Sequence, residues 1–406
     1  MRFAVIADDL TGAADSGVQL SRSGYRTAVF FQGEPANGAG LDAVVVDTDS
    51  RALSPEVARE RVLKAGDAVG GAGLVYKKVD STLRGNLRSE IEAAMRSTGR
   101  ERAVVAPAFP GGGRTTVDGT QLVHGEPVHR TELASDPTTP VQEGHIPSLL
   151  SGLEPIRMLG TDQPRDPLLV SRTLENARCV IADATEDAHL RALVEAVPDP
   201  SGVLWVGSAG LTLALGGIYP GGGGPVPLGI SVGNVGNVLV VVGSLNRVSR
   251  EQLRALVEEA GVPGVGLRGA ADAPDSGGVE VQAAISEASQ ALESGESVAL
   301  YSVSEARGIT PESVAEGLAE VVAGLDPGAF GALVLTGGDT ALAVARRLGA
   351  TGIELLGEVE AGVPLGRLVG PRPYPVVTKA GGFGSRNTLS RALKTLTRVT
   401  RDSEER

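Results

Sequence analysis

Short apolar runs recur along the chain, and each is followed by a polar or glycine-rich turn and then by helical spacing of apolar residues. The runs span residues 3–7, 43–46, 74–76, 103–106, 180–182, 203–206, 238–242, 298–301, 332–335 and 376–377. Because strands that alternate with helices form parallel sheets covered on both faces, the pattern predicts an α/β fold. Ligands of such folds bind at the C-terminal ends of the strands, so the turns after these runs are the candidate sites.

Capping residues mark several helix starts. Ser54 and Thr310 are each followed by proline, which suits the first helical position. Ser249 and Gln252 have the spacing of a capping box, which predicts a helix that starts at Ser249. The charged tail after about Arg398 is expected to fray.

The chain has 406 residues, which is long for one domain and favours two. The alternation stops at residues 216–229, which lack periodicity and contain four consecutive glycines. Such a segment is typical of a linker. The sequence therefore predicts two α/β domains, 1–220 and 237–406, joined by a glycine-rich linker at 221–236. Each domain is expected to have a largely parallel sheet flanked by helices.

The stretch Lys77–Ile91, KKVDSTLRGNLRSEI, concentrates positive charge in a chain whose formal net charge is -12. It follows a short apolar run and leads into a helical pattern in which Leu87 and Ile91 form an apolar stripe. Asp80, Ser81 and Thr82 are all residue types that cap helices. A helix start beside Lys78 and Arg84 favours a carboxylate or phosphate site. The alternative is a basic helix face exposed to solvent.

Composition narrows the class of protein. The chain is 42% hydrophobic and 21% charged, which is ordinary for a globular protein. Cys179 is the only cysteine, which excludes an intramolecular disulfide and favours a reducing compartment. The N-terminal apolar run is too short for a signal peptide, and no apolar stretch has membrane-spanning length. The acidic balance and the 3% aromatic content argue against a nucleic-acid partner. We therefore predict a cytoplasmic protein with neither a membrane nor a nucleic acid as partner.

Two turns of the first half carry candidate chemistry. Asp8 and Asp9 follow the first apolar run, where they can accept hydrogen bonds from substrate hydroxyls and one can act as a general base. The alternative is that they only cap the next helix. Residues 110–116, PGGGRTT, form a flexible loop whose cation, Arg114, is suited to closing over an anion. The alternative for this loop is a mobile surface segment.

Two glycine-rich turns of the second half are typical of phosphate binding. TGGDT at 336–340 and KAGGFG at 379–384 each follow an apolar run. Glycines allow backbone N–H groups to approach phosphates, and Asp339 can cap the helix or hold Mg²⁺ through water. Lys379 is a possible phosphate contact. The alternative is a pair of tight structural turns. A GxGxxG match at 264–269 is soon followed by Pro274, so it does not predict a dinucleotide site.

Six motifs, in this order, resemble those of the four-carbon acid sugar kinase family. They are IADDLTGAADSG, KKVDSTLRGN, APAFPGGGRTTVDG, VVGSLN, TGGDTA and KAGGFG, and the resemblance covers nearly the full chain. It implies an N-terminal sugar-acid-binding domain and a C-terminal nucleotide-binding domain. It also implies phosphorylation of acids such as threonate, erythronate or 3-oxo-tetronate by ATP. Asp136-Pro137 departs from the family pattern, which carries His-Pro there.

The resemblance also implies which residues bind each ligand. The residues of the substrate half are Asp8, Asp9, Lys78, Asp80, Ser81, Arg84 and Arg114. The residues of the ATP loops are Ser244, Gly337, Gly338, Asp339, Thr340, Gly381 and Gly382. We expect Arg84 and Lys78 to fix the substrate carboxylate, and Asp9 or Asp80 to orient or deprotonate the hydroxyl.

The sequence thus predicts an ATP- and Mg²⁺-dependent kinase that phosphorylates a hydroxyl of a small sugar acid, with the terminal hydroxyl favoured. Such a reaction needs mainly positioning and charge neutralisation. One alternative is a kinase for another sugar or polyol, because glycine-rich strand-end loops recur in sugar kinases. A second alternative is a non-enzymatic two-lobed binding protein. Such a protein would not need a second pair of phosphate-type loops.

Overall fold

The structure, a computed structural model, describes residues 1–31, 40–136, 138–223, 235–268, 277–303 and 310–397. Its contacts divide the chain into two units, Met1–Pro225 and Val226–Arg406. Most of the predicted linker, the tail after residue 397 and the end of the GxGxxG match lie outside the described residues. The predicted domain boundaries at residues 220 and 237 stay a prediction.

The first unit is built on a parallel sheet. Its described strands are β1 (Phe3–Ala7), β2 (Thr27–Phe31), β3 (Ala43–Asp47), β4 (Leu74–Lys78), β5 (Arg102–Ala106), β6 (Arg114–Val117), β7 (Thr120–Val123), β8 (Glu126–Pro127), β9 (Ile156–Leu159), β10 (Cys179–Ala182) and β11 (Val203–Gly207). The order in the main sheet is β2-β3-β1-β4-β11-β5-β10-β9, with neighbouring strands parallel. Strands β6, β7 and β8 form a small antiparallel sheet.

Helices cover this sheet. They are α1 (Leu10–Arg22), α2 (Pro55–Val69), α3 (Leu87–Thr98), α4 (Ile146–Leu149), α5 (Pro167–Glu175), α6 (Asp187–Ala196) and α7 (Ala209–Ile218). Every residue of β1, β3 and β4 is buried. Burial of consecutive residues means that both sheet faces are covered, as continuous apolar runs require.

The described residues of the second unit form five parallel strands and an antiparallel hairpin. Its described strands are β12 (Val238–Val242), β13 (Gly264–Arg268), β14 (Val298–Val303), β15 (Ala332–Thr336), β16 (Gly352–Glu360), β17 (Val363–Val369) and β18 (Pro375–Lys379). Their order is β13-β14-β12-β15-β18-β17-β16, in which β16 and β17 form the hairpin. The described helices are α8 (Arg247–Arg254), α9 (Gly277–Glu293), α10 (Pro311–Gly324), α11 (Gly338–Arg347) and α12 (Thr388–Thr397). The predicted α/β class with largely parallel sheets is confirmed.

The predicted helix starts at Ser54 and Ser249 have different outcomes. Ser54 caps α2 by accepting the Val57 N–H, with Pro55 at the first helical position, as predicted. The predicted start at Ser249 is wrong. Helix α8 begins at Arg247, because the Asn246 side chain accepts the Val248 N–H at 2.9 Å and caps it earlier.

Helix α3, in contrast to α8, begins later than the capping residues Asp80, Ser81 and Thr82 indicated. Its first residue is Leu87, and Asn86 precedes it without a side-chain cap bond. Leu87 and Ile91 are buried, as the predicted apolar stripe requires. The residues between β4 and α3 therefore form a long turn, which leaves the Asp80 side chain available for other partners.

Candidate active site

Three neighbouring strands of the first unit end at the same edge of the sheet. Ala7 of β1 lies in register with Asp47 of β3 on one side and with Lys78 of β4 on the other. The turns that follow these strands therefore meet, although they are separated by tens of residues along the chain. This edge carries Asp8, Asp9 and the turn after Lys78.

A single guanidinium joins the two acidic residues after β1. Arg51 Nε and Nη2 donate to Asp8 Oδ2 and Oδ1 at 2.8 and 3.0 Å. Its Nη1 and Nη2 donate to Asp9 Oδ2 and Oδ1 at 2.8 and 2.6 Å. Burial is the largest single influence and raises the pKa of the Asp8 carboxyl. The charge and hydrogen bonds of Arg51, together with the charges of Lys77 and Lys78, outweigh burial, so the pKa lies below its ordinary value. Arg51 was not among the predicted site residues. Its place directly after the polar run that ends β3 was the available signal.

Asp9 also caps α1. Its Oδ1 accepts the Gly12 N–H at 3.0 Å, so Asp9 both caps the helix and pairs with Arg51. A Cβ at position 12 would lie 2.7 Å from Asp9 Oδ1 and 2.7 Å from Lys78 Nζ. Glycine at this position therefore allows the helix backbone to approach both charged groups. Lys78 is itself buried, and its ammonium donates to the Val79 carbonyl at 2.9 Å.

Asp80 is held as a carboxylate. Its Oδ2 accepts from Arg84 Nε at 2.6 Å and from the Thr82 hydroxyl. Burial alone would raise the pKa of Asp80, but the charges of Arg51 and Arg84 hold it far below its usual value. A carboxylate with so low a pKa can orient a hydroxyl but is a weak proton acceptor.

Arg84 lies between two acidic residues. Besides Asp80 it faces Asp136, whose Oδ2 is 3.6 Å from Arg84 Nη1. Asp136 Oδ1 accepts the N–H groups of Thr138 and Thr139 at 3.0 and 2.8 Å, which fixes the carboxylate at the start of that segment. The residue that departs from the family pattern therefore contacts a predicted substrate-binding arginine.

A buried ion pair lies under these turns. Lys77 Nζ is 2.8 Å from Glu90 Oε2, and their side chains are 0% and 2% exposed. Glu90 Oε1 also accepts from the Ser50 hydroxyl at 2.8 Å. Thr48 Oγ1 lies 2.7 Å from Ser50 Oγ and donates to the Ala7 carbonyl at 2.7 Å. These contacts connect α3 to the turns after β3 and β1, and so they fix the position of Arg51.

Ser81 and Arg114 have less direct positions. The Ser81 carbonyl accepts from Gln121 Nε2 at 2.7 Å, which ties the turn after β4 to β7. Arg114 begins β6, and its guanidinium donates to the Gly112 carbonyl of its own loop. Within the described part of the chain Arg114 forms no ion pair with Asp8, Asp9 or Asp80.

A cavity of about 360 Å³ lies beside Arg51 in the first unit. Arg51, Gly85 and Asn86 line one side, and residues 138–143 line another. Asn86 Nδ2 donates to the Leu53 carbonyl at 2.9 Å, which connects the turn before α3 to the turn before α2. A cavity of this size can accept a small acid, and Arg51 is the lining residue that also contacts Asp8 and Asp9.

Three turns of the second unit also meet. They follow β12, β15 and β18, which are adjacent in the sheet. A Cβ at Gly243 would lie 2.1 Å from Thr340 Oγ1, and one at Gly381 would lie 2.2 Å from Ser244 Oγ. Gly337 has a φ of +99°, in the left-handed region that favours glycine. Glycine at these positions allows the three turns to approach one another closely, and we call the place where they meet the glycine cradle.

The second of these turns opens α11. Gly337 precedes the helix, Gly338 is its first residue and Asp339 lies in its first turn. Thr340 is buried against Gly243. The N-terminal N–H groups and the glycine cradle fit a phosphate, which favours such positions.

Lys379 occupies a different place from the one predicted. Its residue is 3% exposed, and its ammonium donates to the carbonyls of Ala380, Gly381 and Phe383 at 2.7, 3.2 and 3.1 Å. The ammonium thus lies beneath the KAGGFG turn with its donors used, and a direct phosphate contact is not what this geometry favours.

Neither a membrane-spanning helix nor a three-residue metal cluster occurs among the described residues. None of the described helices is both long and apolar enough to cross a membrane. In the part of the chain that the structure describes, no group of three His, Cys, Asp or Glu side chains is placed to hold a metal ion. The cytoplasmic location stays a prediction.

Two family models match the chain in succession. One, described as a sugar-binding N-terminal domain, matches residues 3–215. The other, described as a nucleotide-binding C-terminal domain, matches residues 239–389. Asp8, Asp9, Asp80 and the cavity lie within the first match, and the glycine cradle lies within the second.

Curated relatives match over nearly their full length. A D-threonate kinase of Bordetella bronchiseptica is 38% identical, over 97% of this chain and 96% of its own. A D-erythronate kinase of Heliobacterium modesticaldum is 33% identical, over 94% of each chain. A 3-oxo-tetronate kinase of Methylobacterium radiotolerans is 31% identical, over 96% and 97%.

A solved structure shares the fold. It is a Salmonella typhimurium protein described as a putative tRNA synthase, with a TM-score of 0.82 over 97% of this chain and 99% of that one. The sequence identity is 23%, so this likeness concerns the fold alone.

Proposed function

Because the chain belongs to the four-carbon acid sugar kinase family, we propose that it transfers the γ-phosphoryl group of ATP to a hydroxyl of a small sugar acid, such as threonate, erythronate or 3-oxo-tetronate. The proposal rests on two features of the same chain: a cluster rich in arginine and aspartate in the first unit and the glycine cradle in the second unit. The cluster suits a hydroxylated acid, and the cradle suits phosphates. The terminal hydroxyl is the favoured acceptor.

The first unit supplies the acid site. Arg84 and Lys78 offer positive charge for the substrate carboxylate, and Arg51 adds a third cation at the edge of the cavity. Asp80 orients a substrate hydroxyl, because its low pKa makes it a poor base. Asp9 is the candidate base, since its side chain is 26% exposed whereas that of Asp8 is 4% exposed. Phosphoryl transfer depends more on such positioning than on strong proton abstraction.

The second unit supplies the nucleotide site. Backbone groups of Ser244, Gly337, Gly338, Gly381 and Gly382 lie where the turns meet, and Thr340 packs behind them. Mg²⁺, when bound with ATP, neutralises phosphate charge, and Asp339 is the side chain of the cradle suited to holding its waters. The proposed domains remain 1–220 and 237–406 with the linker at 221–236.

Release of ADP from ATP, measured with a panel of four- to six-carbon sugar acids, tests the function. We expect turnover with one or more four-carbon acids and none with the matching neutral polyols. Turnover with neutral sugars or polyols alone would support the other kinase class. Ligand binding without any ADP release would support the non-enzymatic alternative.

Replacing Arg84 by alanine is expected to impair chiefly the use of the acid. A charge-assisted hydrogen bond contributes ~1.5–3 kcal/mol, so kcat/KM for the acid should fall about 10- to 150-fold. ATP affinity should stay nearly constant, because Arg84 lies in the first unit. Steady-state kinetics with each substrate varied in turn checks this.

Arg88→Ala is the matched control for Arg84→Ala. Arg88 is exposed, four residues further along, and donates only to the Ser151 carbonyl at 3.2 Å among the described residues. A loss of ATP affinity in Arg84→Ala with unchanged acid kinetics would mean that the two ligands are assigned to the wrong units.

A further inference from the structure

The carbonyl groups of the turn after β18 are held from beneath by three side chains. Lys379 Nζ contacts the carbonyls of Ala380, Gly381 and Phe383. Ser249 Oγ donates to the Gly381 carbonyl at 2.7 Å. Gln252 Nε2 donates to the carbonyls of Phe383 and Ser385 at 3.0 and 2.8 Å. We call Lys379, Ser249 and Gln252 the carbonyl clamp.

The clamp is built into the core of the second unit. Ser249 and Gln252 are both 0% exposed, and Lys379 is 3% exposed. Ser249 and Gln252 are three residues apart on α8, so they share one helix face. Lys379 Nζ is also 3.4 Å from Ser249 Oγ, which joins the two elements. The turn therefore rests on buried donors that solvent cannot replace.

The orientation of these carbonyls fixes the opposite side of the turn. In a planar trans peptide, the C=O of one residue and the N–H of the next point in opposite directions. When the Ala380 and Gly381 carbonyls point inward, the N–H groups of Gly381 and Gly382 point outward. Among the described residues, none accepts a hydrogen bond from these two N–H groups. Successive outward N–H groups form an anion-binding concavity.

We infer that Lys379, together with Ser249 and Gln252, is a positioning residue that turns the Gly381 and Gly382 N–H groups toward the nucleotide phosphates. The inference rests on the proposed function, since it takes the cradle as the nucleotide site. It gives the lysine of KAGGFG a role beneath the turn rather than against the phosphate. Without the ammonium, the glycine peptides can rotate and turn their carbonyl oxygens toward the phosphates. These oxygens carry partial negative charge and would repel the phosphates.

Calorimetric titration of ADP into the full-length chain tests the inference. Lys379→Met keeps the side-chain length and removes the donors, and we expect the Kd for ADP to rise about ten- to hundredfold. The KM for ATP should rise in parallel, whereas kcat at saturating ATP and the affinity for the acid should change less than about twofold. Lys394→Met, at an exposed position of α12, is the matched control and should bind ADP as the wild type does.

Gln252→Met is a second variant, which keeps the test decisive if Lys379→Met does not fold. It removes the donors to the Phe383 and Ser385 carbonyls and leaves the ammonium in place. We expect a smaller rise in the Kd for ADP, about three- to tenfold.

The pH dependence of ADP affinity distinguishes a positioning role of Lys379 from a purely structural one. Burial lowers the pKa of Lys379 to about 8, while the carboxylate of Glu360, itself paired with Arg391, acts in the opposite direction. Bound phosphate favours the charged ammonium, so the ADP affinity of the wild type should fall as the pH rises through this value. Lys379→Met should lack that fall.

The outcomes separate the inference from the proposed function. A wild-type chain that does not bind ADP would contradict the proposed function. Normal ADP binding by the wild type together with unchanged binding by Lys379→Met and Gln252→Met would overturn the positioning inference alone.

Discussion

Replacing Arg51 by alanine is expected to reduce kcat/KM for the acid at least about 100-fold and to destabilise the first unit by ~3 kcal/mol. Arg51 is the guanidinium shared by Asp8 and Asp9, and its side chain is 16% exposed. Without it the neighbouring Asp8 and Asp9 carboxylates lose the cation that they share, and the Asp8 side chain is only 4% exposed. Like charges in that position repel, and the removal of one partner from a buried pair leaves the other uncompensated.

The loss of stability in Arg51→Ala should depend on pH, and its direction follows from the pKa of Asp8. In the wild type the pKa of Asp8 is lowered, so its contribution is present above the unfolded pKa and is lost as the pH falls through the folded value. In Arg51→Ala only the charges of Lys77 and Lys78 oppose burial, so the pKa of Asp8 should rise relative to the wild type. The variant should therefore gain stability relative to the wild type as the pH is lowered.

Chemical unfolding at several pH values, with steady-state kinetics at neutral pH, checks the Arg51 prediction. Arg191→Ala makes the same chemical change at an exposed position of α6 and should leave both measurements unchanged. If Arg51→Ala kept wild-type stability and wild-type acid kinetics, the ion pairs of Arg51 would contribute no more than exposed ion pairs do, and the prediction would be wrong.

Replacing Lys77 by methionine is expected to give the largest loss of stability, ~3–5 kcal/mol. Lys77 and Glu90 form a pair from which solvent is almost excluded, and the change leaves the Glu90 carboxylate buried without its cation. Burial raises the pKa of Glu90, and the Lys77 charge opposes this. In the variant no Lys77 charge opposes burial, so the pKa of Glu90 should rise further and the loss should be greater at pH 8 than at pH 5.

The double variant Lys77→Met/Glu90→Gln separates charge from packing. It removes both charges and keeps an oxygen that can accept from the Ser50 hydroxyl, so it should recover most of the lost stability. Urea unfolding at constant m-value measures the difference. Arg247→Ala is the control, because the Arg247–Glu251 pair has the same 2.8 Å separation but is 89% and 48% exposed. That change should give no measurable shift. Equal effects at the two pairs would contradict the argument from burial.

The strand-end positions of the first half could be predicted from the sequence. Apolar runs that end in polar turns placed Asp8, Asp9 and Lys78 at one sheet edge, and the structure brings them together with Asp80 and Arg84. The prediction was possible because parallel strands fix the edge at which their C-terminal ends lie. The roles of these residues in binding and catalysis stay proposals.

Tertiary contacts explain what the sequence did not reveal. Arg51 and Glu90 acquire their partners through strand order, and no local pattern specifies that β3 and β4 lie on either side of β1. The true start of α8 was missed because Ser249 and Gln252 bind a distant turn, at Gly381 and Phe383, rather than their own helix end. The hairpin of β16 and β17 also lacked a local signal, because its register shifts interrupt the alternation.

The contacts of Lys77, Glu90, Ser50 and Thr48 have a consequence for local opening. Loops usually exchange their amide hydrogens through small fluctuations that leave the core intact. Here the turns after β1 and β3 share hydroxyl and carboxylate partners with α3, and the central ion pair is buried. Opening of the turn after β3 breaks its hydroxyl contacts with the buried Glu90 carboxylate and with the Ala7 carbonyl, so this turn belongs to the same cooperative unit as the sheet. The segment that carries the acid site should therefore be among the slowest-exchanging parts of the first unit.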